Sequence, residues 1–454
     1  MRRSLLCLVL ACSLLLASGD GGQAKTAPAP EFDTDRNRLI AFILSQQLPA
    51  QHFSHEPLGD ELSRKMFDLY LRQLDPRKRF LLQADVRQLN AFAPHVDDEL
   101  KQGKLVLPDA GRELLNDRIR LVQRMIDPIL DAGFAWEQKE TLEVEPKKLD
   151  YAADAAALRE RWRLTLKMQV LDSYFDALDS KRKENPKAGV DIAPARHAAE
   201  LGEAVKKVRA STHRALTRLL QQSRQDHYDR YFDAVARAFD PHTDYMAPAS
   251  KEDFDIQMSG SLEGIGALLR EDEGLIKVIR VIPGSAAAKQ GQLQAEDTIL
   301  SVAEKDGDPV DIAEMRIREA VGFIRGPKGT EVRLTVQKPD GRKMVIPIIR
   351  DVVQIEETYV KGTVLRTERK QPVGYLRIPS FYRDFAAQAD GEEPRNVTDD
   401  TIRELARLQK QRIGGLILDL RNNGGGALTD AVQISGLFLP GGPVVQVKDS
   451  QGTV

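Results

Sequence analysis

The most constraining feature of the sequence is a short glycine-containing segment, Ser261–Ala267 (S-L-E-G-I-G-A), which precedes a regular series of strand-like runs. Glycine permits positive φ angles and leaves room beside the backbone for another molecule. Such a loop can direct successive N–H groups at one anion, and the terminal carboxylate of a peptide suits it. Short glycine-rich loops are common, so the prediction depends on the residues C-terminal to the loop. The predicted ligand-binding residues are Leu262, Gly264, Ile265, Gly266 and Ala267.

The runs after this loop occur in a characteristic order. Ser285 is placed to cap a short helix that Gly291 ends. The order from Phe254 to Arg350 resembles a PDZ domain, with P-G-S-A-A and R-G-P-K-G-T-E-V-R-L-T-V in the matching places. In PDZ domains a peptide tail adds as a strand at the sheet edge, and its last side chain enters an apolar pocket. The predicted elements are strands at Leu275–Ile282, Asp297–Val302 and Glu331–Val336 and a helix at Asp311–Ile324.

The N-terminus carries the pattern of an export signal. Residues 1–3 include two arginines, Leu5–Ala17 is apolar, and small residues follow. This combination predicts a signal peptide over residues 1–24, cleaved after Gly19 or after Ala24. The apolar run is too short to cross a bilayer comfortably, which disfavours a retained anchor.

Both cysteines, Cys7 and Cys12, lie in this segment, so the mature chain is expected to contain no disulfide and no thiol nucleophile. A lipid anchor at Cys12 is disfavoured because that residue lies inside the apolar run. Export without cysteines favours the bacterial periplasm, and a peripheral position at the inner membrane stays open. No later stretch is apolar enough to predict a membrane span.

The charge balance argues against a nucleic-acid partner, since 66 basic residues are matched by 68 acidic ones. Asp240, His242 and Asp244 could be metal ligands. We favour a helix stop with a capping network, because the residue before Pro241 avoids the helical region. No second histidine or cysteine cluster supports a metal site. The sequence therefore predicts neither a metal nor a cofactor.

The chain divides into regions of different periodicity. Residues 25–250 predict a helical N-terminal domain, with long amphipathic helices at Ala152–Leu178 and His197–Gln222 and a solvated connector at Lys181–Ala195. Residues 351–454 alternate between strand and helix, which is typical of an α/β domain. The predicted elements of this last region are strands at Val373–Ile378, Ile413–Leu420 and Val444–Lys448 and helices at Thr398–Gln411 and Ala427–Leu439. The strand at Ile413–Leu420 is nearly all apolar, so we expect it to be covered on both faces.

A triple-glycine turn joins this apolar strand to the next helix. Backbone N–H groups at such a turn, beside a helix N-terminus, can stabilise an oxyanion, which makes Gly424, Gly425 and Gly426 the candidate catalytic donors. The alternatives are a tight turn that needs positive φ, or a phosphate-binding loop. A Walker loop is excluded, since no Gly-Lys-Ser/Thr comes after the turn.

Three further motifs carry a family resemblance. They are D-L-R-N-N-G-G-G-A-L (residues 419–428), F-D-P-H-T-D-Y-M (239–246) and D-P-R-K-R-F-L-L-Q-A-D-V (75–86). Together with the PDZ-like region at 251–350, the sequence resembles the larger C-terminal processing, or tail-specific, serine proteases of the bacterial periplasm. The resemblance implies a multidomain α+β fold: a helical N-terminal domain, a PDZ module and part of an α/β protease core. It also implies peptide-bond cleavage by a Ser/Lys dyad.

No histidine occurs after His242, so a Ser-His-Asp triad inside the C-terminal region is impossible and a base there would be lysine. In the family the nucleophilic serine lies beyond the glycine turn in an S-A-S-A-S-like turn, and the lysine comes later near F-G-K. Neither residue occurs before Val454, so the 454-residue chain is expected to be inactive. Ser380 aligns with a family glycine and is not expected to be a nucleophile.

Two residues of the turn are expected to support it. Asp419 and Arg421 are predicted to pair and to hold the turn, since charged residues at a buried turn usually pair. Asn422 replaces a family glycine and tolerates positive φ.

Two hypotheses stay open on these grounds. The first is an exported serine endopeptidase that acts on unfolded or misfolded proteins with apolar C-termini, with delivery by an adaptor protein left open. The second is a non-catalytic periplasmic protein whose PDZ module binds peptide tails.

Overall fold

The computed structural model describes residues 25–26, 32–184, 198–272, 274–313, 315–366, 371–385 and 395–453. It divides into two compact units, one containing Glu31–Glu252 with Pro443–Val454 and the other Met1–Pro30 with Asp253–Gly442. The predicted signal peptide at 1–24 lies outside the described residues, as does the predicted connector from residue 185 onwards. The predicted multidomain α+β class is confirmed.

The first unit is mainly helical. The predicted helices at Ala152–Leu178 and His197–Gln222 are confirmed as α6 and α7. Helix α6 extends into the predicted connector, because its last turn is basic and a positive charge suits a helix C-terminus. The helices are α1 (Thr34–Gln51), α2 (Asp60–Leu74), α3 (Gln83–Leu89), α4 (Val96–Gln102), α5 (Leu107–Ala132), α6 (Ala155–Glu184), α7 (Ala198–Leu220) and α8 (Arg224–Phe239), with a 3₁₀ turn at Asn90–Phe92. A further helix, α9 (Pro248–Ser259), includes the boundary between Glu252 and Asp253.

Aromatic side chains form the centre of this unit. Phe67 and Tyr70 of α2 lie in one buried cluster with Tyr231 and Phe232 of α8. The rings of Tyr70 and Tyr231 meet edge to face, with centroids 6.1 Å apart. Gly111 of α5 makes room for Tyr70, since a Cβ there would lie 2.1 Å from the tyrosine oxygen. Close packing at this point therefore requires glycine on the neighbouring helix.

Asp75 explains the start of the D-P-R-K-R-F motif. Its carboxylate is 2% exposed. It accepts hydrogen bonds from the N–H groups of Arg79, Phe80 and Leu81, each at 2.9 Å. A buried carboxylate with three backbone donors fixes the turn between α2 and α3. Asp75, the first residue of the motif, therefore has a structural role in this turn.

The second unit begins with a mainly antiparallel sheet that corresponds to the PDZ-like region. The order along its main path is β1-β6-β5-β4-β3, while β7 pairs with β5 and β8, and a separate two-stranded ribbon joins β2 to β9. Two short helices pack against the sheet: α10 (Ala286–Gln290) and α11 (Ile317–Ile324). The strands are β1 (Lys25–Thr26), β2 (Ser261–Gly264), β3 (Ala267–Asp272), β4 (Leu275–Val281), β5 (Thr298–Glu304), β6 (Val310–Asp311), β7 (Glu331–Gln337), β8 (Lys343–Ile349) and β9 (Asp351–Gln354).

Two predictions for this region need correction. Ser261–Gly264 is a strand, because it pairs in antiparallel register with Asp351–Gln354. The predicted helix at Asp311–Ile324 is only Ile317–Ile324, since Asp311 pairs with Ser301 in the sheet and its carboxylate accepts from the N–H of Ala313. Ser285 caps α10, and Gly291 ends it with φ 83°, as predicted.

The remainder of this unit is a small α/β arrangement. Strands β10 (Lys361–Arg366), β11 (Pro372–Arg377) and β12 (Gly415–Asp419) form a sheet in that order, with β11 and β12 parallel. Helix α12 (Val397–Lys410) precedes β12, helix α13 (Leu428–Gly436) comes after it, and a 3₁₀ turn lies at Glu356–Thr358.

Three predictions for the α/β region are wrong or incomplete. Strand β12 pairs only with β11 among the described residues and Ile417 is 48% exposed, so the expected cover on both faces is not observed. Val444–Lys448 forms no strand, because no described strand pairs with it. The predicted helix at Ala427–Leu439 ends at Gly436.

A bilayer-spanning helix, which needs about 20 apolar residues, is not found in the described part of the chain.

Glu99 is a buried acid whose environment sets a pH dependence. It is 8% exposed, and both of its carboxylate oxygens accept from the N–H of Leu107, at 3.1 and 3.3 Å. Burial raises its pKa from 4.5 to about 7, and the backbone hydrogen bonds offset this only in part. Between these values the folded chain holds a proton that the unfolded chain releases. Stability therefore falls as the pH rises through this window.

We predict that Glu99→Gln removes this dependence, because glutamine keeps an acceptor for Leu107 and carries no charge. Wild type should lose roughly 2–3 kcal/mol of unfolding free energy between pH 5 and pH 8, and the variant should not. Urea unfolding followed by tryptophan fluorescence measures this, since both tryptophans, Trp136 and Trp162, lie in the helical unit. Glu113→Gln, at an exposed acid, is the control. Equal slopes for wild type and Glu99→Gln would contradict the prediction.

Candidate peptide groove and glycine turn

The loop between β2 and β3 turns its carbonyl groups inward. The carbonyl of Ile265 accepts from the N–H of Ala287 at 2.8 Å. The carbonyl of Gly266 accepts from the N–H of Ile282 at 2.9 Å and from Ser285 Oγ at 3.1 Å. Among the described residues, the N–H groups of Ile265 and Gly266 have no acceptor. This is the arrangement that an incoming carboxylate needs.

Gly266 is required by a close approach. Its φ is 78°, and a Cβ there would lie 2.2 Å from the Cβ of Ser285. Gly264 has no such constraint, because the nearest atom to an added Cβ is 3.4 Å away, on Leu262. The two glycines of the motif therefore differ in role. Gly266 allows the loop to pack closely against Ser285 at the N-terminal end of α10.

The other predicted ligand-binding residues lie around this loop. Ile265 is 3% exposed and belongs to the core of the sheet. Leu262 lies in β2 opposite Val353, and Ala267 begins β3. We name the free side of β3, together with α11, the candidate peptide groove.

The candidate peptide groove has an open strand edge. Within the described residues β3 pairs only with β4, and helix α11 packs against β3 and β5. Leu268 on β3 is 48% exposed, whereas Ala320 and Ile324 of α11 are buried in the core. A free edge with its own unpaired N–H and C=O groups can accept one more strand.

The glycine turn after β12 is anchored by Asp419. Its carboxylate is 7% exposed and accepts from the N–H of Arg421 at 2.9 Å, from the guanidinium at 2.8 and 2.9 Å, and from Tyr375 Oη. The Arg421 guanidinium, followed by Tyr375, holds the pKa of Asp419 well below its usual range. The predicted pairing of Asp419 with Arg421 is thus confirmed. Asn422 adopts φ 61°, as predicted.

The glycine turn is hydrogen-bonded to a second segment, around Phe381, that the sequence does not predict. The N–H of Phe381 donates to the carbonyl of Gly425 at 2.8 Å, and the N–H of Ala427 donates to the carbonyl of Phe381 at 2.7 Å. Gly426, with φ 144°, lies so close that a Cβ would be 2.1 Å from the Phe381 oxygen. Nothing in the local sequence around Phe381 signals this pairing, since it joins residues 45 positions apart.

The three candidate donors are not equivalent. The N–H of Gly425 donates to Asn423 Oδ1 at 2.8 Å, so it is already used. The N–H groups of Gly424 and Gly426 have no acceptor among the described residues. The Asn423 side chain in turn donates from Nδ2 to the carbonyl of Ile378 at 3.0 Å, which fixes its position. The turn therefore offers two N–H groups rather than three.

The helix after the turn is fixed by a buried ion pair. Asp430, in the first turn of α13, is fully buried and accepts from Arg383 at 2.7 and 2.9 Å and from Thr398 Oγ1 at 2.6 Å. An acidic residue in a first helical turn is a recognisable sequence signal, but its partners are not.

Ser380, which is not expected to be a nucleophile, has a buried Oγ with no hydrogen-bond partner among the described residues, so no described base contacts it.

The predicted cap in the F-D-P-H-T-D-Y motif is confirmed. Asp240 ends α8, and its carboxylate accepts from the N–H of His242 at 2.6 Å. In the part of the chain that the structure describes, no group of three or more His, Cys, Asp or Glu side chains is placed to bind a metal.

Comparison with known families finds three matches along the chain. The profile of the Tail specific protease N-terminal domain matches residues 44–249, that of the PDZ domain matches 253–337, and that of Peptidase family S41 matches 372–454. The helical unit, the strand-edge groove and the glycine turn thus define a PDZ-containing protein with a protease-type core. The chain belongs to the C-terminal processing protease family.

Individual relatives are similar over different shares of the chain. The Tail-specific protease of Haemophilus influenzae is 30% identical over 423 residues, which is 92% of this chain and 55% of that protein. The Carboxy-terminal processing protease CtpA of Bacillus subtilis is 30% identical over 249 residues, 52% of this chain and 48% of that protein. The chain spans about half the length of these relatives.

Among solved structures, the PDZ domain of a carboxy-terminal protease from Vibrio cholerae, in complex with a peptide, is similar in sequence. It is 35% identical and covers 21% of this chain and 98% of that chain, with a TM-score of 0.20.

We predict different effects for substitutions of two glycines in this turn. Gly426→Ala forces a Cβ into the Phe381 carbonyl and should lower the local stability of the turn by about 2–4 kcal/mol. Gly424→Ala meets no atom within 4 Å and needs no positive φ, so local stability should stay level or rise by up to about 1 kcal/mol. Hydrogen exchange measured by mass spectrometry over residues 419–436 compares the two. Similar protection in both variants would contradict the close contact.

Proposed function

We propose that this protein is an exported serine-type endopeptidase that captures apolar protein C-termini in the candidate peptide groove and cleaves the captured chain with a Ser/Lys dyad. The observation that carries the proposal is the open edge of β3, which comes directly after the N–H groups of Ile265 and Gly266 that have no acceptor among the described residues. Family membership supports the protease chemistry.

Capture would proceed by strand addition. A peptide tail would pair with the free edge of β3, and its terminal carboxylate would accept from the N–H groups of Ile265 and Gly266. Hydrogen bonds to a charged acceptor are shorter and stronger than neutral ones, so the free carboxylate contributes most of the end recognition. The last side chain would enter an apolar pocket, which favours substrates with apolar tails.

Cleavage would use the glycine turn as an oxyanion hole. The N–H groups of Gly424 and Gly426 are those left without an acceptor among the described residues, while Gly425 would support the turn. The Phe381 backbone and the Asp419–Arg421 pair hold the turn rigid, so the donors need no reorganisation as charge develops. The positive end of the α13 dipole adds to the stabilisation.

The nucleophile and the base are the serine and lysine that the family resemblance implies. The lysine would accept the serine proton, the serine oxygen would attack the peptide carbonyl, and the leaving amine would take the proton back. A lysine base requires a lowered pKa, which desolvation or a neighbouring cation provides.

The proposed setting is the periplasm, reached through the signal peptide at residues 1–24, with a peripheral position at the inner membrane. Proposed substrates are unfolded or misfolded proteins, because a chain must be extended to reach the turn after its end is bound. Delivery by an adaptor protein is compatible with this mode of capture.

We predict that a synthetic ten-residue peptide ending in three apolar residues binds the 454-residue chain through its free carboxylate. Amidation of the terminus should weaken binding by about tenfold or more, because the Ile265 and Gly266 donors lose a charged acceptor. Fluorescence anisotropy with labelled peptides measures this, and a peptide with aspartate at the last position is the control for the apolar pocket. Equal binding of the free and amidated peptides would rule out carboxylate capture.

Cleavage is tested separately, with the protein expressed from its full reading frame and an unfolded substrate carrying the same apolar tail. Internal fragments that disappear when the tail ends in aspartate are expected. Tail-dependent capture without any cleavage would instead favour a non-catalytic tail-binding protein.

A further inference from the structure

Arg350 is a charged residue with an unusual environment. It comes directly after β8, is 1% exposed and is among the largest fully buried side chains of the described chain. Burying an arginine is costly unless every N–H group finds an acceptor. Its surroundings therefore indicate what the residue holds in place.

All five N–H donors of the Arg350 guanidinium are used. Nε donates to the carbonyl of Ile324 at 3.0 Å, and Nη2 donates to the carbonyl of Phe323 at 3.1 Å. Nη1 donates to Thr330 Oγ1 at 2.9 Å, and the two Nη atoms contact the two carboxylate oxygens of Glu304 at 2.9 and 2.7 Å. The hydrogen bonds from Arg350 lower the pKa of Glu304. The residue thus connects the end of α11 to the end of β5.

Helix α11 depends on this connection because its own C-terminus has no glycine cap. Arg325 at the C-cap is extended, with φ −68° and ψ 165°, so the last carbonyls of the helix need outside donors. Arg350 supplies them, and its positive charge suits the negative end of the helix dipole. Gly326 leaves the necessary space, since a Cβ there would lie 2.9 Å from Arg350 Cζ.

The same helix forms one wall of the candidate peptide groove. Helix α11 packs against β3, whose free edge is the other wall, and against β5, which carries Glu304. At this end of the eight-residue helix, Ile324 packs into the core and Arg350 provides hydrogen bonds to the carbonyls of Phe323 and Ile324. A shift of α11 would change the width of the groove without breaking the sheet.

We propose that Arg350 is a positioning residue for peptide capture, which holds α11 at the distance from β3 that admits a peptide strand. This inference rests on the proposed capture of C-terminal tails by the groove. The inference concerns the position of α11 relative to β3, since Arg350 itself is buried and is not expected to touch the peptide.

The test is Arg350→Lys in the full 454-residue chain. Lysine keeps the charge, but its single ammonium cannot reach both helix carbonyls and both Glu304 oxygens. If α11 then occupies the binding position about one tenth of the time, affinity for the free-carboxylate peptide should fall about tenfold. Hydrogen exchange over residues 317–324 should rise in the same variant.

A matched control separates this effect from a general loss of stability. Lys338→Met removes a different buried ion pair of the same sheet, between Lys338 and the fully buried Asp297 at 2.8 Å. It should lower the thermal midpoint as much as Arg350→Lys, yet leave peptide affinity within about twofold, because it does not involve the end of α11.

Glu304→Gln is a second, milder variant in case Arg350→Lys does not fold. It leaves the arginine bonded to the helix carbonyls but weakens the link to β5, and peptide affinity should fall about threefold.

The outcomes are distinct. The proposal is overturned if a folded Arg350→Lys binds as wild type does, if Lys338→Met loses as much affinity, or if Glu304→Gln binds unchanged where Arg350→Lys fails to fold. Failure of wild type to prefer the free carboxylate over the amidated peptide would overturn the proposed function, and this inference with it.

Discussion

Close backbone contact is the constraint on which both candidate sites depend. Gly266 lies against Ser285 and Gly426 lies against the carbonyl of Phe381, each too close for any side chain. In both places the carbonyl groups are bonded inward to the protein. N–H groups of both loops are left without an acceptor among the described residues, and unpaired backbone donors are what anion recognition and oxyanion stabilisation share.

Buried charge supports these contacts and the domains around them. Asp430 is fully buried and its partner Arg383 largely so, whereas the buried Asp419 and the buried Arg350 each pair with a partner whose side chain is exposed, Arg421 and Glu304 respectively. Such pairs contribute less to net stability than to the choice of one geometry over others, because removing the partner of a buried charge leaves that charge without compensation. In the helical unit Asp75 has a similar local role through three backbone donors.

Much of the fold was predictable because its signals are local. Helix periodicity marked α6, α7 and α12, and Ser285 and Gly291 marked both ends of α10. The errors occurred where pairing partners decide the outcome. Ser261–Gly264 is a strand only because β9 lies beside it, and Val444–Lys448, with strand-like composition, has no described partner. The predicted oxyanion and carboxylate donors stay predictions, although the structure distinguishes among them by the bonds that Gly425 already makes.

The sequence by itself determined the order of the domains, the family and the two glycine motifs, because glycine spacing, caps and hydrophobic periodicity are properties of neighbouring residues. Only the tertiary structure decided which N–H groups are left without an acceptor, why Gly426 is required while Gly424 is not, and what Arg350 holds in place. These depend on contacts between residues tens of positions apart, such as Phe381 with Gly426, and no local pattern encodes them.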